Sequence, residues 1–154
     1  MRRVDELLDQ YSGDHRNATN QTIHVFCVPA IVWSVTAALW AIPVPPALAQ
    51  PGAWSVVAMF LAWAWYWRLS RPLAMGLFLC FLVCVLLNLW IAMHFGINRL
   101  LMTGVVVFVV AWIGQFIGHI YEGHRPSFLT DLVFLLVGPM WTLRKLYQRL
   151  GIAV

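Results

Sequence analysis

The chain has 154 residues, of which 62% are hydrophobic and only 10% charged, and its mean hydropathy is +0.78. An ordinary soluble domain carries roughly 25% charged residues, so too little polar surface remains to cover a fold in water; this excludes a soluble domain, a disordered chain and a nucleic-acid-binding module. The net charge of +4 comes from basic residues scattered singly over tails and loops, the pattern of a topology signal in a membrane protein.

Each membrane crossing needs about 20 apolar residues, so the length allows about four or five crossings and no separate soluble domain. Residues 1–22 are polar and contain no apolar leader core, so no cleaved signal peptide is expected. Val4, Leu7, Leu8 and Tyr11 fall at i, i+3, i+4 and i+7, which predicts an amphipathic interfacial helix over 2–12, ended by Ser12-Gly13. His15 to Asn20 is rich in loop and N-cap residue types.

The predicted crossings are 23–42, 53–69, 73–95 and 100–121. Pro29 removes a backbone donor inside the first. The second is short and carries Trp54, Trp63, Trp65, Tyr66 and Trp67, residues suited to the headgroup layer. Cys27, Cys80 and Cys84 lie in apolar runs and read as small buried hydrophobes. A last apolar run, 128–143, contains Asp131 and is broken by Gly138-Pro139, so 128–150 reads as a re-entrant or interfacial segment.

Charge counting agrees. Four crossings leave Arg2, Arg3, Arg16, Arg68, Arg71, Arg125, Arg144, Lys145 and Arg149 on one side and only Arg99 opposite. A fifth crossing would carry Arg144, Lys145 and Arg149 across and spoil that sorting. The expectation is a single all-α polytopic membrane domain, 1–154, with four transmembrane helices and both termini cytoplasmic. The membrane would be a bacterial inner membrane, or the endoplasmic reticulum in a eukaryote.

This topology gathers His15, His24, His119 and His124 at one membrane face, with His94 at the other. Asn17, Asn20 and His24 share one helix face, and Gln115, His119 and Glu122 share another. Polar residues in membrane segments are costly and face a bundle interior or a wet cavity. Gly114 and Gly118 form a GxxxG that permits close helix approach. Imidazoles suit Fe, Zn, Cu or Ni. His15 and His24 are nine apart and converge only if residues 15–20 form a loop; His119 and His124 converge only if Gly123 bends the chain. Interhelical hydrogen bonding alone, in a non-catalytic lipid-binding or scaffold protein, is the competing reading. A haem held by His24 and His119 is a third. Arg16 and Arg125 flank the histidines and are suited to anchoring, or to holding a carboxylate or phosphate.

Two blocks carry a resemblance. Tyr11…His15-Arg-Asn…Asn20-Gln-Thr-Ile-His24…Pro29 is the first; Gln115-Phe-Ile-Gly-His119-Ile-Tyr-Glu122-Gly-His124-Arg125-Pro126…Asp131, followed by Gly138-Pro139, is the second. Together they bracket nearly the whole chain, and they resemble the signatures of the 2-hydroxy fatty acid α-oxidation dioxygenases, small membrane proteins. The resemblance implies an enzyme that uses Fe(II) and O2 to shorten a 2-hydroxy fatty acid by one carbon with release of CO2. It maps the family's histidines onto His15, His24 and His119, as catalytic metal ligands. His124 stands where the family carries Lys or Arg; it is a fourth candidate ligand, or else a substrate contact. Asn20, Gln115, Glu122, Arg16 and Arg125 are implied as supporting or substrate-contacting residues, with a direct role on the metal left open for Glu122. Membrane lipid, the 2-hydroxy acid and O2 are the implied partners.

Overall fold

The computed structural model describes residues 3–47, 50–123 and 133–152. Among these it is helical, with no strand. The described helices are α1 (Arg3–Gly13), α2 (Ala18–Trp40), α3 (Ala53–Leu69), α4 (Arg71–Phe95), α5 (Ile97–Glu122) and α6 (Phe134–Arg149). Of these, α2, α4 and α5 are long and apolar enough to cross a membrane. Helix α3 has the predicted bounds, but its 17 residues span only about 25 Å at the usual rise, slightly less than the hydrocarbon layer.

Helix α2 starts five residues earlier than its hydropathy predicts and ends at Trp40. The reason is a cap. The Asn17 side chain accepts from the backbone N–H of Thr19 and Asn20, at 2.9 and 3.3 Å, so polar residues are drawn into the first turn. The expected 15–20 loop therefore shrinks to a linker at residues 14–17. At the other end of the chain, Gly138-Pro139 does not break the last segment: α6 runs through both. Proline removes one helical hydrogen bond, but packing of α6 on α1 and α2 outweighs that loss. Residues 128–132 of the predicted interfacial segment lie outside the described residues.

The most extensive packing joins α2 to α5. Small residues permit it. A Cβ at Gly114 would stand 2.8 Å from Cys27 Sγ, one at Gly104 would stand 3.1 Å from Ala37 Cβ, and one at Gly118 would overlap Asn20 Oδ1. The GxxxG of α5 is thus the face that meets α2. Deeper in the bundle, Asn88 Nδ2 donates to Thr36 Oγ1 at 3.1 Å and Ser55 Oγ donates to the Thr36 carbonyl at 2.9 Å, tying α4 and α3 to α2.

The outward faces are apolar: Phe60 and Leu61 on α3, Leu79 and Val83 on α4, Val106 and Val110 on α5 are all exposed. A contiguous patch of this kind marks a surface made for lipid rather than water. Of the three cysteines, Cys84 is buried, but Cys27 is only half-buried and Cys80 is exposed on that apolar surface.

Helix α1 is amphipathic as predicted, but its apolar stripe meets protein instead of lipid. Val4, Leu8 and Tyr11 join Phe134, Val137, Met140 and Trp141 in the core, and Arg144 lies 3.6 Å from Asp5 at the edge. The two terminal helices cover each other because each offers an apolar stripe at the same end of the bundle. That end also holds the α3–α4 turn, since Gly76 of α4 abuts Leu143 and Tyr147 of α6.

Candidate metal centre

Three chain segments meet at this end. The 14–17 linker presents His15, the second turn of α2 presents His24, and the last turn of α5 presents His119. All three imidazoles are buried. Their ring centroids are 4.4 Å (His15–His24), 5.1 Å (His15–His119) and 5.0 Å (His24–His119) apart. One nitrogen from each ring lies within 4.8 Å of the others, a set able to hold a metal ion.

The hydrogen bonds set the tautomers. His15 Nδ1 lies 2.7 Å from the Tyr11 carbonyl, and His24 Nδ1 lies 2.9 Å from the Asn20 carbonyl. A carbonyl only accepts, so each Nδ1 carries the proton and each neutral ring turns an Nε2 lone pair inward. Those two Nε2 atoms are 3.0 Å apart. Two lone pairs at that distance repel unless they share a cation. Burial lowers the pKa of His15, which disfavours a shared proton. Imidazole nitrogens about 2.1 Å from one metal and roughly at right angles stand about 3 Å apart, so the donor set fits a transition-metal ion. A carbonyl on the far ring nitrogen is also the usual support for a metal-binding histidine. A porphyrin does not fit: the edge-on His24 and His119 rings are too close to sandwich one.

Glu122 builds the site without pointing a ring. Its carboxylate accepts from the backbone N–H of Arg16 at 2.8 Å, from that of Asn17 at 3.0 Å and from Asn20 Nδ2 at 2.9 Å. These bonds clamp the linker to the end of α5. Gly123, at φ +76°, ends the helix directly after Glu122. Asn20 is fully buried and joins the clamp to His24 through its own carbonyl. Arg16 is exposed, and its Nε donates to the Gly13 carbonyl at 3.0 Å. His124 and Arg125 lie outside the described residues. His94 is exposed on α4 and takes no part.

Next to the histidines is a cavity of about 60 Å³. Gln115 lines it beside the three rings, and the remaining wall is apolar, with Val28, Ile31, Trp112 and Phe134. Tyr11 stacks on His15 with centroids 4.1 Å apart, and its burial raises the phenol pKa so that it stays protonated.

Sequence reasoning misses Gln21, Trp141 and Lys145. Gln21 Nε2 donates to the His15 carbonyl at 2.6 Å, and its Oε1 accepts from Lys145 Nζ, also at 2.6 Å. Trp141 Nε1 donates to Ser12 Oγ at 2.9 Å, and Lys145 Nζ lies 4.5 Å from the Trp141 ring centroid. The one available signal is the i, i+4 spacing of Trp141 and Lys145, which places both on one face of α6.

The chain is similar to known proteins over nearly its whole length. A family profile described as "2-hydroxy-palmitic acid dioxygenase Mpo1-like" matches residues 1–70 and 76–150. The 2-hydroxy-palmitic acid dioxygenase MPO1 of Saccharomyces cerevisiae is 27% identical over 143 residues, covering 92% of this chain and 78% of the yeast protein. No solved structure matches significantly. With both the linker–α2 block and the α5 block inside the matched segments, the chain belongs to the Mpo1-like family of 2-hydroxy-palmitic acid dioxygenases.

Proposed function

We propose that the protein is an Fe(II)-dependent membrane dioxygenase that removes one carbon from 2-hydroxy fatty acids. The balanced reaction takes R–CH(OH)–COOH and O2 to R–COOH, CO2 and H2O; the C1–C2 bond breaks and O2 is the oxidant. The single observation that carries this reading is the trio His15, His24 and His119, with two inward Nε2 lone pairs beside a small, largely apolar cavity. Family membership supports the substrate class and the choice of iron among the metals that imidazole suits.

Iron bound there would supply the electron transfer that lets O2 react with the acid. The protein's own residues do the rest. The Tyr11 and Asn20 carbonyls hold two rings in the tautomer that leaves Nε2 available. The Glu122 clamp keeps His15 opposite α5. Gln115 presents an amide to the cavity, suited to a hydroxyl or carboxyl oxygen. Val28, Ile31, Trp112 and Phe134 keep water out and receive the start of an alkyl chain. His124 is placed in this reading as a further ligand, and Arg125 and Arg16 as anionic-substrate contacts at the headgroup level. The topology proposed with it has α2, α3, α4 and α5 as four crossings of one membrane domain, α1 and α6 at the cytoplasmic face, and the histidines there.

The test is metal analysis of anaerobically purified protein, followed by O2 uptake with 2-hydroxypalmitate and detection of pentadecanoate. Stoichiometric iron and turnover are expected, and both are lost in His119→Ala. Metal-free active protein, or full turnover by His119→Ala, would sink the proposal.

A further inference from the structure

A second, larger cavity of about 430 Å³ lies between α2, α4 and α6. The histidine cavity lies instead between α2, α5 and α6. Val28 and Val32 line both and form the wall between them. Its size suits one small amphiphile and is too small for both chains of a bilayer phospholipid.

The groove is chemically polarised. Along α4 it is apolar, with Leu77, Cys80, Phe81 and Leu87. Along α6 it presents Thr142, Lys145 and Arg149, at i, i+3 and i+7 on one helix face. No acidic side chain is among its described lining residues. The Thr142 hydroxyl is buried and has no hydrogen-bond partner among the described residues, an arrangement that native proteins rarely leave unexplained. Burial, and after it the neighbouring Arg149 charge, lowers the pKa of Lys145, so an anion would relieve the site.

We propose that this groove is a binding site for a long-chain carboxylate. The alkyl chain lies along α2 and α4; the carboxylate pairs with Lys145 and Arg149 and accepts the Thr142 hydroxyl. The site is separate from the histidine cavity and does not rest on the dioxygenase reading. Lys145 also reaches the His15 carbonyl through Gln21, so a carboxylate bound to Lys145 sits three polar contacts from the histidine linker.

The probe is palmitic acid carrying a diazirine near its methyl end, crosslinked to the full chain in detergent micelles, metal-free and iron-loaded. Saturable labelling of α4 between Leu77 and Leu87 is expected in both forms. Palmitate should displace the probe, whereas methyl palmitate and phosphatidylcholine should not. Lys145→Gln should raise the concentration needed for half-labelling about tenfold, the worth of one charge-assisted hydrogen bond. The exposed Arg149→Gln serves as a second variant, with a smaller shift in the same direction. Cys80→Trp should fill the groove and abolish labelling. The proposal fails if labelling does not saturate, if it requires iron, if methyl palmitate or phosphatidylcholine competes equally, or if neither charge variant shifts it. Failure of the dioxygenase reading would leave the labelling intact, and failure of the labelling would leave iron binding and turnover intact.

Discussion

Glu122→Gln separates positioning of the histidine linker from the histidines themselves. The carboxylate accepts from two backbone N–H groups and from the Asn20 amide. A glutamine keeps the shape but has one accepting oxygen, and its NH2 group would face N–H donors. Hydrogen bonds to a charged group are worth about 1.5–3 kcal/mol each. Glu122 is only half-buried, so water replaces part of what is lost and the low end applies. A loss of about 2 kcal/mol, localised to the linker, lowers the equilibrium constant for holding His15 in place roughly 30-fold. Metal affinity should fall by up to the same factor, because it scales with the competent population. The assay is competition for Co(II), a spectroscopic stand-in, against a chelator of known affinity. Amide exchange at Arg16 and Asn17 should accelerate in parallel, a readout that needs no metal. The close α2–α5 packing at Gly104 and Gly114 is untouched and only the Asn20–Glu122 bond at its end is altered, so the helical signal and the midpoint of thermal unfolding should change little. Unchanged Co(II) affinity with unchanged exchange at both amides would refute the reasoning.

The other predictions concern packing and topology. Gly118→Ala should destabilise by about 1–3 kcal/mol, because the new methyl overlaps Asn20 Oδ1 and Asn20 cannot withdraw without releasing Glu122; thermal unfolding in micelles measures it. Combined with Glu122→Gln, its effect on metal affinity should be less than additive, since both act through Asn20. Asn88→Leu should lower stability by about 0.6–1.7 kcal/mol through loss of the bond to Thr36, while His15, His24 and His119 still bind metal. A reporter fused after Val154 should read cytoplasmic; a signal from the opposite side would refute the four-crossing topology.

The helices were largely legible in the sequence, because hydropathy and turn residues are local properties. Helix α3 follows its predicted bounds, and α4 and α5 differ from theirs by a few residues at most. Two local expectations failed for physical reasons. Asn17 caps α2 and makes a helix of residues expected to form a loop. Tertiary packing carries α6 through Gly138-Pro139, where composition alone predicts a break.

The composition by itself determined that this chain belongs in lipid: with 10% of its residues charged, no water-facing surface could be built. The pattern of its few polar residues also singled out His15, His24 and His119, which the structure brings together at one end of the bundle. Only the tertiary structure decided what each polar group does there. Glu122 meets the linker across more than 100 residues of chain, Lys145 reaches Gln21 across a similar span, and the Tyr11 and Asn20 carbonyls choose the tautomers of His15 and His24. A hydrogen bond depends on distance and direction between atoms. Those are settled only when the helices pack, so spacing along the chain could name the candidates but not assign their partners.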